Sequence, residues 1–464
     1  MRGNLCRLIE NGTLRPGARL PSSRQLAADL RVSRSVVVEA YEQLSAEGYL
    51  VARHGSGTRV AEHLGSYAGG SALTRGHPEP GQAEARWDLR TGKSDVSSFP
   101  RQEWIRSVTA VLTTAGDADL DYGPPSGSLR ARHVLVEYLG RVRGVRTHLQ
   151  DTMITSGFAQ GLALLCRVLR ERGHETLGVE DPGHPGEREF ITSAGLRPVG
   201  IPVDDDGLRV DLLERSGVRA VLTTPGNQFP TGARLSPQRR ERLVAWARAV
   251  DGYVVEDDFD GTYTNRSGQA LALQHLAPDR VVYAGSASKV LAPALRLGWL
   301  AGPSELMASV ERMRVGWDIG CSGVEQLTFA HFVSTGAFDR HQRRLYAELR
   351  KRRELLRDLV PRHLPGAEIA GDTCLSPASR TSHASLASYP SHAYVRLPSD
   401  VDEAALTKAA RARSVLVHGG GFYAVGAHPR PPALVLGYAA VDSAGLLEGM
   451  AELGAAYGEV RGRG

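Results

Sequence analysis

Val281-Val-Tyr-Ala-Gly-Ser-Ala-Ser-Lys289-Val-Leu-Ala-Pro-Ala-Leu-Arg296-Leu-Gly-Trp299 is the stretch on which the fold turns. It opens with a β-branched and aromatic run that reads as a buried strand. Small residues follow, Gly285 to Ser288, then one lysine, and an arginine seven positions later. No other lysine lies within fifty residues on either side. An amine that condenses with an aldehyde needs small neighbours, and a nearby phosphate needs hydroxyl and guanidinium donors. Ser286, Ser288 and Arg296 supply those donors, so the chemistry indicated is a Schiff base between Lys289 and pyridoxal phosphate (PLP). S-x-S-K alone favours a plainer reading, a solvated lysine after a strand; the rest of the chain has to decide.

Working outward, strand signals at Met153–Thr155, Thr176–Val179, Ala220–Thr223, Tyr253–Val255 and Val281–Tyr283 alternate with helical stretches such as Gln160–Arg172 and Ser236–Val250. That alternation predicts an α/β body with a mostly parallel sheet, whose ligands collect at the carboxyl ends of the strands. The chemistry-bearing residues stand at those ends. Thr155-Ser-Gly-Phe-Ala-Gln160 opens a helix and offers Ser156, Gly157 and Phe158 to a phosphate. Glu256-Asp-Asp258 ends an apolar strand, where a carboxylate can hold a pyridinium proton; it is equally a solvated acidic turn. Thr224–Gly232, with Asn227, is a rigid Pro/Gly loop able to face a ring. Asp181-Pro-Gly-His184 is another, and its imidazole can stack on one.

The first 60 residues differ from the rest. They hold nine arginines, no lysine and five acids, so +4 of the chain's net +5 sits in this head. Such a basic module on a near-neutral body is the footprint of nucleic-acid binding. Ser22-Ser-Arg-Gln25 is a capping box that starts one helix, and Ser33 caps a second running to Glu47. Two short helices joined by Arg31-Val32, then a hairpin with a flexible His54–Gly57 tip, make a winged helix-turn-helix. The second helix is expected to enter the major groove by its first turn, with Ser33, Arg34 and Ser35 at the bases and Arg34 on guanine. Ser22, Arg24 and Tyr41 are assigned to phosphates, and Arg53, His54 and Gly55 to the wing. Residues 63–86 hold few apolar groups and read as a flexible tether between a head at 1–62 and a body at 87–464. The body divides into a large part at about 120–330 and a small α+β part at about 331–464.

Composition narrows the class further. At 464 residues, 42% apolar and 23% charged, the chain is an ordinary globular protein. No run approaches the ~18 apolar residues of a membrane span. The four cysteines are scattered, so neither a disulfide framework nor a metal site is expected, and a reducing cytoplasm is.

Leu20–Ala28, Val32–Leu44 and Glu47–Thr58 together resemble a GntR-type winged helix, though the family's first helix begins about ten residues earlier, so here it is short or the true start lies upstream. From about 88 to 455 the chain is similar to a fold-type-I aminotransferase, and the whole resembles the MocR/GabR-like regulators, which join these two parts. The resemblance implies double-stranded operator DNA as partner, PLP as cofactor, and a homodimer. It makes Lys289 the Schiff-base lysine and Asp257 the partner of the pyridine nitrogen. Ser156, Gly157, Ser286, Ser288 and Arg296 become the phosphate cup, and Tyr122 reaches the other subunit's phosphate. His184 stacks on the ring, and Asn227 lies near its hydroxyl. Three departures accompany it. Phe259 and Phe229 stand where the family and the true aminotransferases have a tyrosine and an asparagine near the ring oxygen, and Val435 stands where aminotransferases clamp a substrate carboxylate with arginine. The expected function is therefore a regulator that senses PLP or a small amine. The alternatives are an active aminotransferase carrying a DNA-binding module and a DNA-binding protein whose body only dimerises.

Overall fold

The computed structural model describes residues 2–10, 13–53, 57–61, 85–260, 271–371, 391–426 and 430–462. The chain separates between Ala83 and Glu84 into two compact units. Most of the expected tether, and the serine-rich stretch before Ser391, lie outside the described residues.

The first unit has helices at Arg2–Glu10, Ser23–Leu30 and Arg34–Ala46, followed by an antiparallel hairpin of Leu50–Arg53 with Gly57–Val60. Apolar residues from each piece (Ile9, Leu20, Ala27, Val37, Leu44, Leu50, Val60) close one small core. Ser22 Oγ accepts from the Gln25 N–H at 3.2 Å. The other half of the capping box is not made, because the Gln25 amide donates to Asp29 at 2.9 Å instead. Ser33 makes no side-chain cap either; its hydroxyl pairs with that of Ser35 at 2.9 Å. Arg31 turns the chain between the second and third helices with φ 54°, a left-handed conformation in which the Arg31 and Val32 N–H groups close the helix Ser23–Leu30 on Ala28 and Ala27.

The second unit is built on an eight-stranded sheet in the order Thr152–Thr155, Gly298–Ala301, Val281–Ser286, Tyr253–Asp258, Ala220–Thr223, Thr176–Asp181, Arg197–Asp204, Gly207–Leu208. Gly298–Ala301 runs against both neighbours and Gly207–Leu208 closes a hairpin; the others are parallel. Central strands are buried end to end, which is why they read as apolar runs with no alternation. Helices Phe158–Glu171 and Ser304–Val315 pack Leu162, Leu165 and Val310 on one face. Helix Pro237–Ala249 packs Leu243 and Trp246 on the other.

Beyond the long helix Ala337–His363, a four-stranded antiparallel sheet (Glu368–Ile369, His392–Arg396, Ala433–Gly437, His418–Gly419) forms the small part. The start of the body joins it, for Trp87–Asp88 pairs in parallel with Val415–Leu416.

Candidate functional site

The parallel strands deliver their carboxyl ends to one edge of the sheet. Ala284 stands opposite Asp257 in the register, so the strand carrying Asp257 and the strand leading to Lys289 finish side by side. Ser286 ends its strand buried, and Ser288 and Lys289 are half-buried just after it. Lys289 Nζ donates to the Gly92 carbonyl at 2.5 Å. Burial lowers the pKa of this amine against the pull of Asp260 and Asp257, so a larger share is neutral and nucleophilic than in solvent.

Asp257 is buried, and its Oδ1 has no hydrogen-bond partner. Burial, reinforced by Glu187, Asp258 and Asp260, raises its pKa well above the usual carboxylate range. An unsatisfied buried carboxylate oxygen costs free energy until a donor arrives. Asp258, by contrast, is fully engaged: Arg143 holds it at 2.9 Å and 3.1 Å, and the Tyr283 hydroxyl donates to it at 2.5 Å.

After the outermost strand, Thr152–Thr155, which is separated from Val281–Ser286 by Gly298–Ala301, the chain turns at Ser156-Gly157 into helix Phe158–Glu171. Gly157 has φ +83°, and a Cβ there would lie 3.0 Å from the Arg296 guanidinium. Arg296 donates to the Ser156 carbonyl at 2.6 Å, so its charge lies across the start of the helix. A guanidinium, a serine hydroxyl and a helix N-terminus converge there, which is the composition of an anion site. The Ser156 hydroxyl lies 3.2 Å from Cys321 Sγ.

His184 caps the helix Pro185–Ser193 by accepting the Gly186 N–H at 3.1 Å. Its pKa falls to about 4 through desolvation and then the charges of Lys289 and Arg188, so it is neutral near pH 7. Its ring lies 5.3 Å from Phe229, which packs on Phe259 (5.6 Å), His392 (4.8 Å) and Tyr423 (5.4 Å). Val435 is buried in this apolar group, where it offers no polar atom. Asn227 donates to Asp260 at 3.3 Å.

The strand ends thus bring Lys289, Asp257, Ser286, Ser288, Ser156, Gly157 and Arg296 to one side of the sheet, with His184, Asn227 and Phe259 in loops that follow neighbouring strands, while the Phe158 ring packs against the apolar core that holds Leu162 and Leu165. Tyr122 stands apart, 87% exposed, in a groove with Leu120, Leu129 and Ile319. Sequence reading missed Asp260, although it lies three residues after Asp257. Burial and the Asp258 charge bring its pKa up to about 7. It also missed Glu180, whose buried carboxylate accepts from Thr223, Thr224 and Gln228 and so braces the loop that carries Asn227. An acid three residues before Gly183 was the available signal.

In the head, Arg24, Arg34 and Ser35 are exposed at the starts of the two helices, and Arg34 Nε lies 3.4 Å from Ser23 Oγ. Tyr41 corrects its assignment. It is a core residue whose hydroxyl donates to the Pro21 carbonyl at 3.0 Å, so it fixes the inter-helix connection and has no free hydroxyl for a phosphate. Helical periodicity places it with Val37 and Leu44 on the inner stripe. The Arg53 side chain, His54 and Gly55 lie outside the described residues. Arg34→Ala is expected to lower affinity for the specific operator by about 1–3 kcal/mol, with a much smaller loss on random DNA. Titration of both DNAs at one fixed salt concentration checks this; equal losses would reduce Arg34 to a phosphate contact.

Among the described residues no group of three or more His, Cys, Asp or Glu could hold a metal ion. No described helix is long and apolar enough to cross a membrane.

Comparison with known proteins accounts for both units. Residues 2–60 match the family model for bacterial regulatory proteins, gntR family, and residues 89–449 match aminotransferase class I and II. The HTH-type pyridoxine biosynthesis transcriptional regulator PdxR of Corynebacterium glutamicum is 32% identical over 76% of this chain and 76% of its own. The HTH-type regulator TauR of Rhodobacter capsulatus is 31% identical over 96% and 93%. Among solved structures, the multiple substrate aminotransferase of Thermococcus profundus superposes with a TM-score of 0.72 at 23% identity, over 82% of this chain and 94% of that one. The kynurenine aminotransferase of Pyrococcus horikoshii gives 0.70 at 24%, over 81% and 91%. The chain belongs to the MocR-type family of DNA-binding transcriptional regulators, in which a gntR-family winged helix is joined to a body with the class I and II aminotransferase fold.

Proposed function

We propose that the body binds PLP and that its occupancy sets how the heads engage an operator. The observation that carries this reading is the unpartnered, buried Asp257 Oδ1 at the same sheet edge as the Lys289 amine. The residues present fit the cofactor. Asp257 would accept from the ring nitrogen, and Arg296, Ser156, Ser286, Ser288 and the start of helix Phe158–Glu171 would hold the phosphate. His184 and Asn227 would flank the ring. When bound, PLP supplies an aldehyde with which the Lys289 amine condenses, releasing water, and a pyridinium ring that withdraws electrons.

Two features favour sensing over turnover. Phe229 and Phe259, whose rings pack edge to face, stand at the positions where the resemblance expects an amide and a hydroxyl to control the proton near the ring oxygen. Val435, buried in the same apolar group, offers no bidentate contact to a substrate carboxylate. A pocket without that contact favours PLP itself as effector, with an amine lacking a carboxylate as the competitor. The 32% identity to PdxR, named for pyridoxine biosynthesis, supports the first. The exposed groove around Tyr122 supports a homodimer built through the bodies, each lending Tyr122 to the other's phosphate; two heads would then read two half-sites.

PLP can move the heads only by its differential affinity for two arrangements. Loading the full chain with PLP is therefore expected to change its operator affinity by about 5–150-fold, with no sustained conversion of amino acids to keto acids. Steady keto-acid production would favour the aminotransferase reading instead.

A further inference from the structure

The turn that begins helix Phe158–Glu171 is held by residues that do not themselves face the ring. Gln160 reaches back along the first turn, and its Oε1 accepts the Ser156 N–H at 2.6 Å. Its amide nitrogen donates to the Asp318 carboxylate. Asp318 also accepts from Arg314 Nε at 3.0 Å. Arg314 is wholly buried at the end of helix Ser304–Val315; its other nitrogens donate to the Ile154 carbonyl and, at 2.7 Å, to Cys321 Sγ. Cys321 Sγ lies 3.2 Å from Ser156 Oγ, so the circuit leaves Ser156 by its nitrogen and returns to its hydroxyl.

We propose that Gln160, Asp318 and Arg314 are positioning residues for the phosphate of PLP, an inference that rests on the cofactor reading above. A buried guanidinium has few places to go, and here each of its three nitrogens has a partner, so Asp318 is held in one position. Through Gln160 that rigidity fixes the backbone of Ser156-Gly157. The remaining N–H groups of the helix's first turn then stay aimed at the anion with no reorganisation on binding. The circuit extends to the Tyr122 loop. Gln326 donates to the Cys321 carbonyl at 3.0 Å and accepts the Ser128 N–H at 2.8 Å. The phosphate turn and the groove around Tyr122 therefore share one wall.

Pyridoxal, which carries the aldehyde and ring but no phosphate, separates this role from general support of the fold. The full chain and its Gln160→Leu and Asp318→Asn variants are titrated with PLP and with pyridoxal, reading the near-visible absorbance of the condensed amine. Gln160→Leu is expected to weaken PLP about tenfold and leave pyridoxal unchanged, as the loss of about one preorganised charge-facing hydrogen bond implies. Asp318→Asn, which keeps the side-chain shape, is expected to lose less in the same direction. An unchanged preference for PLP over pyridoxal, or equal weakening of both, would overturn the proposal. Absence of the absorbance in unmodified protein would overturn it together with the cofactor reading.

Discussion

Lys289→Ala protein mixed with PLP is expected to show only the absorbance of free PLP at any cofactor concentration, whereas the unmodified chain develops the red-shifted band of the condensed amine. The change removes the nucleophile itself. The chain has only three other lysines (Lys93, Lys351 and Lys408), and Lys93 is committed to Asp88 at 2.6 Å. The phosphate cup and Asp257 remain, so weak reversible binding persists, but the covalent step cannot occur. The same logic fixes the sign of the pH dependence. Only the unprotonated amine adds to an aldehyde, and burial lowers the Lys289 pKa, so capture strengthens as pH rises through that lowered value and fades below it. Borohydride reduction followed by peptide mapping should place the label on Lys289. A label spread over the other lysines would contradict the assignment.

Arg143→Ala is expected to destabilise the body by about 3–5 kcal/mol, read as a lowered urea midpoint. Arg143 and Asp258 are both buried, 2.9 Å apart, with Tyr283 donating to the same carboxylate. Taking away the guanidinium leaves an anion in the core beside Asp257, which already has Glu187 and Asp260 as acidic neighbours. The cost is that of an uncompensated charge rather than the net worth of the pair. Arg143→Leu combined with Asp258→Leu should therefore recover much of the loss, because it removes both ions together. A single substitution that destabilises the body by less than about 1 kcal/mol would contradict a buried ion pair here.

The frame of the molecule was legible because local and global signals agreed. Apolar runs such as Val281–Tyr283 are buried on both faces, so period and composition pointed the same way. Lys289, Asp257, Arg296 and Ser156 could be singled out because each stands at or after the carboxyl end of a strand, where ligands gather. What escaped was set by distant parts of the chain. Arg143 meets Asp258 across 115 positions, and Gln160 meets Asp318 across 158, separations that no window of sequence reports. Tyr41 was misplaced for the opposite reason: on a short amphipathic helix a tyrosine fits either face, and only the Pro21 carbonyl decides. The capping box at Ser22 was half right, since Asp29 one turn on outcompetes the Ser22 backbone for the Gln25 amide.

The measurement that bears most directly on a PLP-sensing regulator is operator affinity of the full chain, titrated with PLP, beside that of Lys289→Ala. The account predicts that PLP shifts the affinity of the unmodified chain and leaves the variant where it began. An affinity indifferent to PLP in both proteins, or shifted equally in both, would contradict it.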